Sequence, residues 1–118
     1  MFALVFLAMI HASAVAASPD CRNIRTTAQR ESCLLIDLKH AEERLEMAES
    51  KIKRDLTAAQ AEVFQSAAQQ WRNYRDAECR AVFEASDGGS IAGSALLACK
   101  IEITEARRRF VQRAYAIP

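Results

Sequence analysis

The chain has 118 residues, which is enough for one domain and too few for two. Its 16 basic and 15 acidic residues leave a formal net charge of +1. This balance argues against nucleic-acid binding, which requires a clustered basic surface, and gives no strong long-range attraction toward any partner. Four cysteines, an even number in a short chain, favour two disulfide bonds.

The first 17 residues carry no Lys, Arg, Asp or Glu and consist of an apolar run followed by small residues up to Ala17. This pattern is typical of a signal peptide and its cleavage site, and the run is shorter than the roughly 20 residues of a membrane span. It lacks the usual basic start, which indicates either a weak signal or a true start upstream of Met1. The alternatives to export are a buried N-terminal helix and an uncleaved anchor. We predict a signal peptide at residues 1–17 and an exported domain at 18–118, periplasmic or secreted, with no membrane span after cleavage.

No glycine or proline occurs between Pro19 and Gly88, a stretch rich in Ala, Glu, Lys, Arg and Gln, which predicts helix. The pattern Thr26-x-x-Gln29 resembles a capping box and places the start of a first helix near Thr27. Steps of four and three define an apolar stripe that faces a partner helix: Leu34, Leu38, Ala41, Leu45, Ala48 and Ile52. The remaining side predicts a solvent-exposed acidic face made of Glu42, Glu43, Glu46 and Glu49.

A second capping box, Thr57-x-x-Gln60, predicts a break between two helices at residues 53–56. The alternative is a single helix from Thr27 to Ser86, about 90 Å long, that packs on a partner chain. We favour the break, because a single small domain must fold its apolar stripes back on themselves. The inner side of the second helix is expected to carry Phe64, Ala67 or Ala68, Trp71, Arg75, Cys79 and Val82.

The second helix is followed by a turn of small residues, Asp87-Gly88-Gly89-Ser90. Glycine supplies the left-handed backbone that ends a helix, and Ser90 is expected to cap a third helix that runs to about Arg113. The apolar stripe of this helix is Leu96, Cys99, Ile103, Ala106 and Phe110. Together these elements predict an all-α fold, a small disulfide-stabilised bundle of about three helices.

The cysteines Cys79 and Cys99 lie ten residues either side of Gly89. If the turn reverses the chain, antiparallel helices bring them to the same height, and a bridge between them clamps the hairpin with roughly 3 kcal/mol of loop entropy. Cys21 is expected to pair with Cys33 from a non-helical lead or a separate short turn, because 12 residues of helix would part the sulfurs by about 18 Å. A zinc site, the rival use of four cysteines, lacks any C-x-x-C pair.

The sequence offers little that is typical of catalysis. His40 is the one histidine beyond residue 17, and its charged neighbours favour a surface position over a catalytic one. The pair Arg75-Asp76 beside Trp71 fits a ligand site or a structural cluster, in which the arginine stacks on the indole and carboxylates of a neighbouring helix hold its guanidinium. We favour the structural cluster. We predict no catalytic residue, no metal and no cofactor.

Two further features have alternative interpretations. Arg107 is expected to form a bidentate ion pair with Asp76 or Glu78 across the hairpin. The turn from Asp87 to Ser90 is explained by its role in ending one helix and starting the next. It also fits an element that enters the cleft of a partner, because it presents exposed acceptors with little side-chain bulk.

In combination, these motifs resemble one known family. Cys21 and Cys33 are followed by Trp71-x-x-Tyr74-Arg75-Asp76-x-x-Cys79, then by Gly88-Gly89-Ser90, then by Cys99-x4-Thr104-x2-Arg107-x3-Val111. The combination resembles the LprI-type lysozyme-inhibitor domain, a family of small exported bacterial proteins, and spans Cys21 to Val111. No lipobox precedes Cys21, so we do not expect that residue to be acylated. Where the family often shows an Asp, a Leu-Asn pair and a Tyr, this chain has Glu42, Leu45-Glu46 and Glu49.

The resemblance implies an envelope protein that binds and inhibits a lysozyme and is not an enzyme. The predicted mechanism is occlusion of the lysozyme cleft, with Asp87, Gly88, Gly89 and Ser90 as the inserted edge. The other motif residues are expected to build the fold: Trp71, Tyr74, Arg75, Asp76, Thr104 and Arg107. The alternative is a non-inhibitory envelope module that binds another protein or a wall fragment through the acidic face of the first helix. An enzyme that shelters an anionic small molecule is a more distant third.

Overall fold

The computed structural model describes residues 21–116. This part of the chain contains a 3-10 turn at Cys21–Asn23 and three helices: α1 at Thr27–Arg54, α2 at Ala58–Ala85 and α3 at Ala92–Ala114. No strand occurs among these residues. The predicted all-α bundle of three helices is therefore confirmed, whereas the predicted signal peptide at residues 1–17 lies outside the described residues. No helix between residues 21 and 116 is both long and apolar enough to cross a membrane.

The first two helices begin where their capping residues predict. The Thr26 hydroxyl accepts a hydrogen bond from the Gln29 amide at 3.2 Å. At the start of α2 the capping box is complete, because Thr57 accepts from the Gln60 amide at 3.2 Å and the Thr57 amide donates to the Gln60 side chain at 2.9 Å. These bonds satisfy amides that a helix start otherwise leaves free, so the break predicted at 53–56 forms and the single long helix is wrong.

The third helix begins differently from its prediction. It starts at Ala92 with Ile91 in the cap position and no side-chain cap, so the predicted capping role of Ser90 is wrong. The reason is the length of the turn: Asp87 and Gly88 both adopt left-handed backbone, with φ of 55° and 61°. The Ala92 amide then donates to the Gly89 carbonyl at 2.9 Å, which places Ser90 inside the turn rather than at the helix start.

Helix α3 packs along both α1 and α2 and is the central helix of the bundle. It runs parallel to α1, since its start lies against the start of α1 and Glu105, further along, reaches Arg44. At the first of these contacts a Cβ on Gly93 would meet the carboxylate end of Glu31, a flexible side chain that can move aside. The largest fully buried side chains come from all three helices: Phe64, Leu45, Val111, Thr104 and Cys79.

The apolar stripe predicted for α1 is confirmed at its centre, where Ala41, Leu45 and Ala48 are buried. The acidic face predicted beside it is wrong for two of its four members. Glu49 is buried and Glu42 is half-buried, whereas Glu43 and Glu46 are exposed. Glu49 and Glu42 each pair with an arginine of α2, so the acidic side of α1 is partly a helix–helix contact.

The apolar stripe predicted for α3 is only partly confirmed. Ile103 is half-buried, but Ala106 is exposed and 51% of Phe110 remains accessible to solvent. The fully buried positions in the second half of α3 are instead Thr104 and Val111. Helix α3 contacts two other helices, so its buried residues lie on two sides of the helix and not along a single stripe. The prediction from three-and-four spacing, which assumed a single stripe, therefore wrongly placed Phe110 in the core.

Both predicted disulfides form. Cys21 bonds Cys33 with their Cα atoms 5.7 Å apart, and Cys79 bonds Cys99 at 5.6 Å. Cys21 belongs to the separate 3-10 turn, as the spacing required. The second bridge joins α2 to α3 two turns from the Asp87–Ser90 turn and confirms the clamped hairpin. With every cysteine bonded in this way, none is left as a thiolate that could hold zinc.

Candidate functional site

The turn between α2 and α3 stands at the tip of the clamped hairpin, and its four residues, Asp87 to Ser90, are all exposed. Three hydrogen bonds shape it: the Asp87 amide donates to the Glu84 carbonyl at 3.1 Å, the Gly89 amide donates to the Ser86 carbonyl at 3.3 Å, and the Ala92 amide donates to the Gly89 carbonyl at 2.9 Å. The amides of Gly88 and Ser90 donate to no group among residues 21–116. The turn therefore offers a carboxylate and two free donors with little side-chain bulk.

Further along the hairpin, the half-buried indole of Trp71 is the centre of a cluster of arginines. The guanidinium carbons of Arg72, Arg75 and Arg107 lie 5.8, 5.4 and 5.7 Å from the ring centroid. Cations at this distance are attracted to the negative face of an indole ring. The three arginines come from two helices, so the ring is a shared contact between α2 and α3.

Arg75 is buried and bonded in three directions. Its Nη1 donates to Glu42 Oε1 of α1 and to Thr104 Oγ1 of α3, both at 3.1 Å. Its Nε donates to Asp76 Oδ1 at 3.0 Å within α2. The contacts expected of a structural cluster are therefore present: Arg75 lies against the Trp71 ring and is held by a carboxylate from a neighbouring helix. One guanidinium ties together all three helices.

A second arginine of α2 reaches the same side of α1. Arg72 Nη2 lies 3.1 Å from Glu49 Oε1, whose side chain is only 6% exposed. Together with the Arg75–Glu42 pair, this makes ion pairs a main link between α1 and α2. These pairs explain why Glu49 is buried and Glu42 is less exposed than Glu43 and Glu46.

Arg107 has no such partner, and its predicted ion pair with Asp76 or Glu78 is wrong. Asp76 instead accepts from Arg75 and lies 3.6 Å from Lys100 Nζ. The Arg107 guanidinium carbon lies 5.7 Å from the Trp71 ring and 5.8 Å from the Phe110 ring. Its Nε is shielded from solvent and has no hydrogen-bond partner among the described residues.

The side chains around Arg107 form an open patch that we term the aromatic face. A shallow groove of about 420 Å³ is lined by Trp71, Tyr74, Ile103, Ala106, Arg107 and Phe110. The two outer rings are well exposed, Tyr74 to 57% and Phe110 to 51%. The sequence interpretation missed this face, because it assigned each of these residues to the core or to the fold. A signal was present: Trp71 with Tyr74 and Arg107 with Phe110 are i,i+3 pairs, each of which shares one side of a helix.

The α1 side of α3 carries a different charge cluster. Glu105 Oε1 accepts from Arg44 Nη2 at 2.6 Å, and Glu105 Oε2 accepts from Arg108 Nη2 at 2.7 Å. Partial burial raises the pKa of the Glu105 carboxyl, but the hydrogen bonds and charges of the two arginines outweigh it. The net result is a pKa below the ordinary value of 4.5.

With this geometry in view, residues 18–110 match the model of a family described as lysozyme inhibitor LprI. The chain belongs to the LprI lysozyme-inhibitor family. The matched range contains both disulfides, the exposed turn and the aromatic face. Searches of curated proteins and of solved structures find no match. Membership in the LprI family and the two disulfides together indicate a protein that works outside the cytoplasm and binds a lysozyme-type partner.

Proposed function

We propose that this LprI-family protein is exported and inhibits a peptidoglycan-cleaving lysozyme by occluding its substrate cleft, with the Asp87–Ser90 turn as the part that enters. The observation that supports this mechanism is the turn itself, which is narrow, fully exposed and held by a disulfide-clamped hairpin. The family match supplies the class of partner.

Shape and rigidity both favour the turn for this task. A cleft that binds a glycan chain is concave, so an inhibitor needs a convex element to fill it. The Cys79–Cys99 bridge and the hydrogen bonds of the turn hold that element in place before binding. A preorganised loop loses less conformational entropy on binding and therefore binds more tightly.

The groups on the turn suit a site built for sugars. A glycan cleft presents donors and acceptors that normally bond hydroxyl and acetamido groups. The free amides of Gly88 and Ser90 and the carboxylate of Asp87 satisfy both kinds. The net charge of +1 provides no general attraction to a lysozyme, so recognition depends on these local contacts.

A turbidity assay tests the proposal directly. Oxidised protein lacking residues 1–17 is added to lysozymes of several types while they clear a bacterial wall suspension. We expect dose-dependent protection for at least one lysozyme, with loss of protection after reduction. Asp87→Lys should raise the half-inhibitory concentration at least tenfold, which is about 1.4 kcal/mol of binding free energy.

Asp55 provides a matched control, since it is an exposed aspartate in the α1–α2 turn at the opposite end of the bundle. Asp55→Lys makes the same charge change and should leave inhibition unchanged. Equal inhibition by both variants and the wild type would remove the turn from the mechanism. Failure of the wild-type protein to protect against any lysozyme type would contradict inhibition itself.

The alternative of a non-inhibitory module that works through the acidic side of α1 has lost much of its surface. Glu42 and Glu49 are engaged in ion pairs with Arg75 and Arg72, and only Glu43 and Glu46 remain exposed. A Glu43→Lys/Glu46→Lys variant tests this remainder without breaking a helix–helix contact. We expect it to inhibit as the wild type does.

A further inference from the structure

We propose that the aromatic face is a second contact surface for the same lysozyme: the α2–α3 hairpin lies along the cleft, with its turn at one end, and Arg107 binds one of the enzyme's catalytic carboxylates. This inference rests on the proposed inhibitory function and names the chemistry that the partner must present. It also gives the Trp71, Tyr74 and Phe110 rings a role beyond the fold.

The first step compares the hydrogen bonds of Arg107 with those of the other arginines. Among the described side chains, those that are at least partly buried are Arg30, Arg72, Arg75, Arg107 and Arg108. Four of them donate to a carbonyl or carboxylate oxygen at 3.1 Å or less. Arg107 donates to none, and its Nε is shielded. Shielding the Nε donor without an acceptor is costly, and the guanidinium has no counter-charge among the described residues, so the face gains from an incoming anion.

The second step is the composition of the surface around this cation. Tyr74 and Phe110 are each more than half exposed, on two neighbouring helices, and frame the groove that contains Arg107. Tyrosine, tryptophan, phenylalanine and arginine are the residues most enriched at the centres of protein–protein interfaces, where they contribute most of the binding energy. The combination indicates a protein-binding surface.

The third step is rigidity. Trp71 forms the floor of the groove, and Arg75 packs on it with bonds to α1 and α3. The buried guanidinium of Arg75 therefore holds the indole in place from within the bundle. A surface that is already ordered loses little entropy when a partner binds.

The fourth step identifies the occupant. Retaining lysozymes catalyse hydrolysis with two carboxyl groups placed on either side of the scissile bond, so the base of their cleft is acidic. A guanidinium flanked by rings is complementary to such a site in both charge and polarity. A free wall glycan is the rival occupant, since three of the six lining side chains carry polar groups: the Trp71 N–H, the Tyr74 hydroxyl and the Arg107 guanidinium. The hydroxyl and acetamido groups of a sugar would leave the charge of Arg107 without a counter-charge, whereas a carboxylate neutralises it.

The experiment is a binding titration with the lysozyme that the wild-type protein inhibits. Arg107→Gln and Tyr74→Ala should each raise the Kd at least tenfold. Neither side chain makes a hydrogen bond among residues 21–116, so both variants should fold, and urea unfolding midpoints close to that of the wild type verify this. Arg109→Gln and Val63→Ala are the matched controls, both exposed and outside the face, and should change the Kd less than twofold.

A double-mutant cycle then tests the named contact. Each catalytic carboxyl of the lysozyme is replaced in turn by its amide, and the effect of Arg107→Gln is measured again. If Arg107 pairs with one of these groups, its tenfold effect should fall below threefold against that lysozyme variant. An effect that stays tenfold against both variants would overturn the pairing.

The outcomes separate this inference from the proposed function. If Arg107→Gln and Tyr74→Ala bind as the wild type does while Asp87→Lys does not, the inhibitor stands and the aromatic face is not its contact. If the wild-type protein binds no lysozyme, both fail. Trp71 is the only tryptophan of the chain, so its fluorescence reports on a soluble wall glycan. A saturable change that Tyr74→Ala abolishes would assign the face to glycan and overturn the inference.

Discussion

Two arginines lie against the same indole ring and have opposite surroundings. Arg75 and Arg107 are 5.4 and 5.7 Å from the Trp71 centroid, so their contact with the ring is nearly the same. Arg75 also bonds Glu42, Thr104 and Asp76, whereas Arg107 bonds no oxygen among the described residues. A cation–π contact alone therefore does not show whether an arginine stabilises the fold or is available to a partner. The presence or absence of hydrogen-bond acceptors around its guanidinium shows this.

The position of α1 explains the difference. Arg75 lies where all three helices meet, and α1 supplies Glu42 there. The aromatic face is lined by α2 and α3 only, so no residue of α1 reaches it. Helix α1 thus provides the negative charge that neutralises Arg75. No carboxylate of α1 reaches Arg107, so that side of the Trp71 cluster stays cationic.

The largest expected effect comes from breaking the paired side of this comparison. Arg75→Gln should lower the free energy of unfolding by about 2 kcal/mol, because it removes the buried guanidinium that pairs with the half-buried Glu42 and donates to Thr104. Urea denaturation measures the change. Combined with Glu42→Gln, the loss should be less than the sum of the two single losses, since they share one contact. A loss under about 1 kcal/mol would show that Arg75 is not a main link between the helices.

A smaller effect on stability is expected from removing the carboxylate of Glu105, which pairs with Arg44 and Arg108 on the other side of α3. The pKa of Glu105 is lower in the folded protein than its ordinary value of 4.5, so the carboxylate stabilises the fold above that pH. This contribution, less than about 1 kcal/mol, is lost as the pH falls through the folded pKa. Between pH 7 and pH 3, Glu105→Gln should therefore lose less stability than the wild type. Glu102→Gln, at an exposed position on the same helix, should keep the wild-type pH dependence.

The smallest expected effect on stability comes from replacing Arg107, the arginine without an ion pair. Arg107→Gln loses ring contacts but no ion pair, so the free energy of unfolding should change by about 0.5 kcal/mol or less. Urea denaturation beside Arg109→Gln gives the comparison with an ordinary exposed arginine. A loss as large as that of Arg75→Gln would mean that both arginines are structural, and the contrast between them would disappear.

Much of this architecture could be predicted from local rules. The equal spacing of Cys79 and Cys99 about Gly89 predicts their pairing once the turn reverses the chain, because antiparallel helices rise by the same amount per residue. Thr57 and Gln60 likewise predict the start of α2, since both partners of a capping box lie within one turn. Features that depend on neighbours a few residues away are visible in the sequence.

The candidate site was harder to predict because it depends on which helix lies beside which. Glu49 is next to the apolar stripe of α1, and the sequence does not show that Arg72 will cover it. Phe110 fits an apolar stripe in the sequence. Its ring stays exposed because of how α3 packs between the two other helices, which the sequence alone does not show. The missing acceptor of Arg107 is likewise a property of the whole bundle.

The distance between the turn and the aromatic face also limits the size of a partner that can contact both. From Ala92 beside the turn to Arg107 in the aromatic face, α3 rises by about 22 Å. A short peptide or a single sugar is too small to touch both regions at once. A folded domain, about 30 Å across, is large enough to span them. If both regions bind one partner, as we propose, the length of α3 sets the minimum size of that partner.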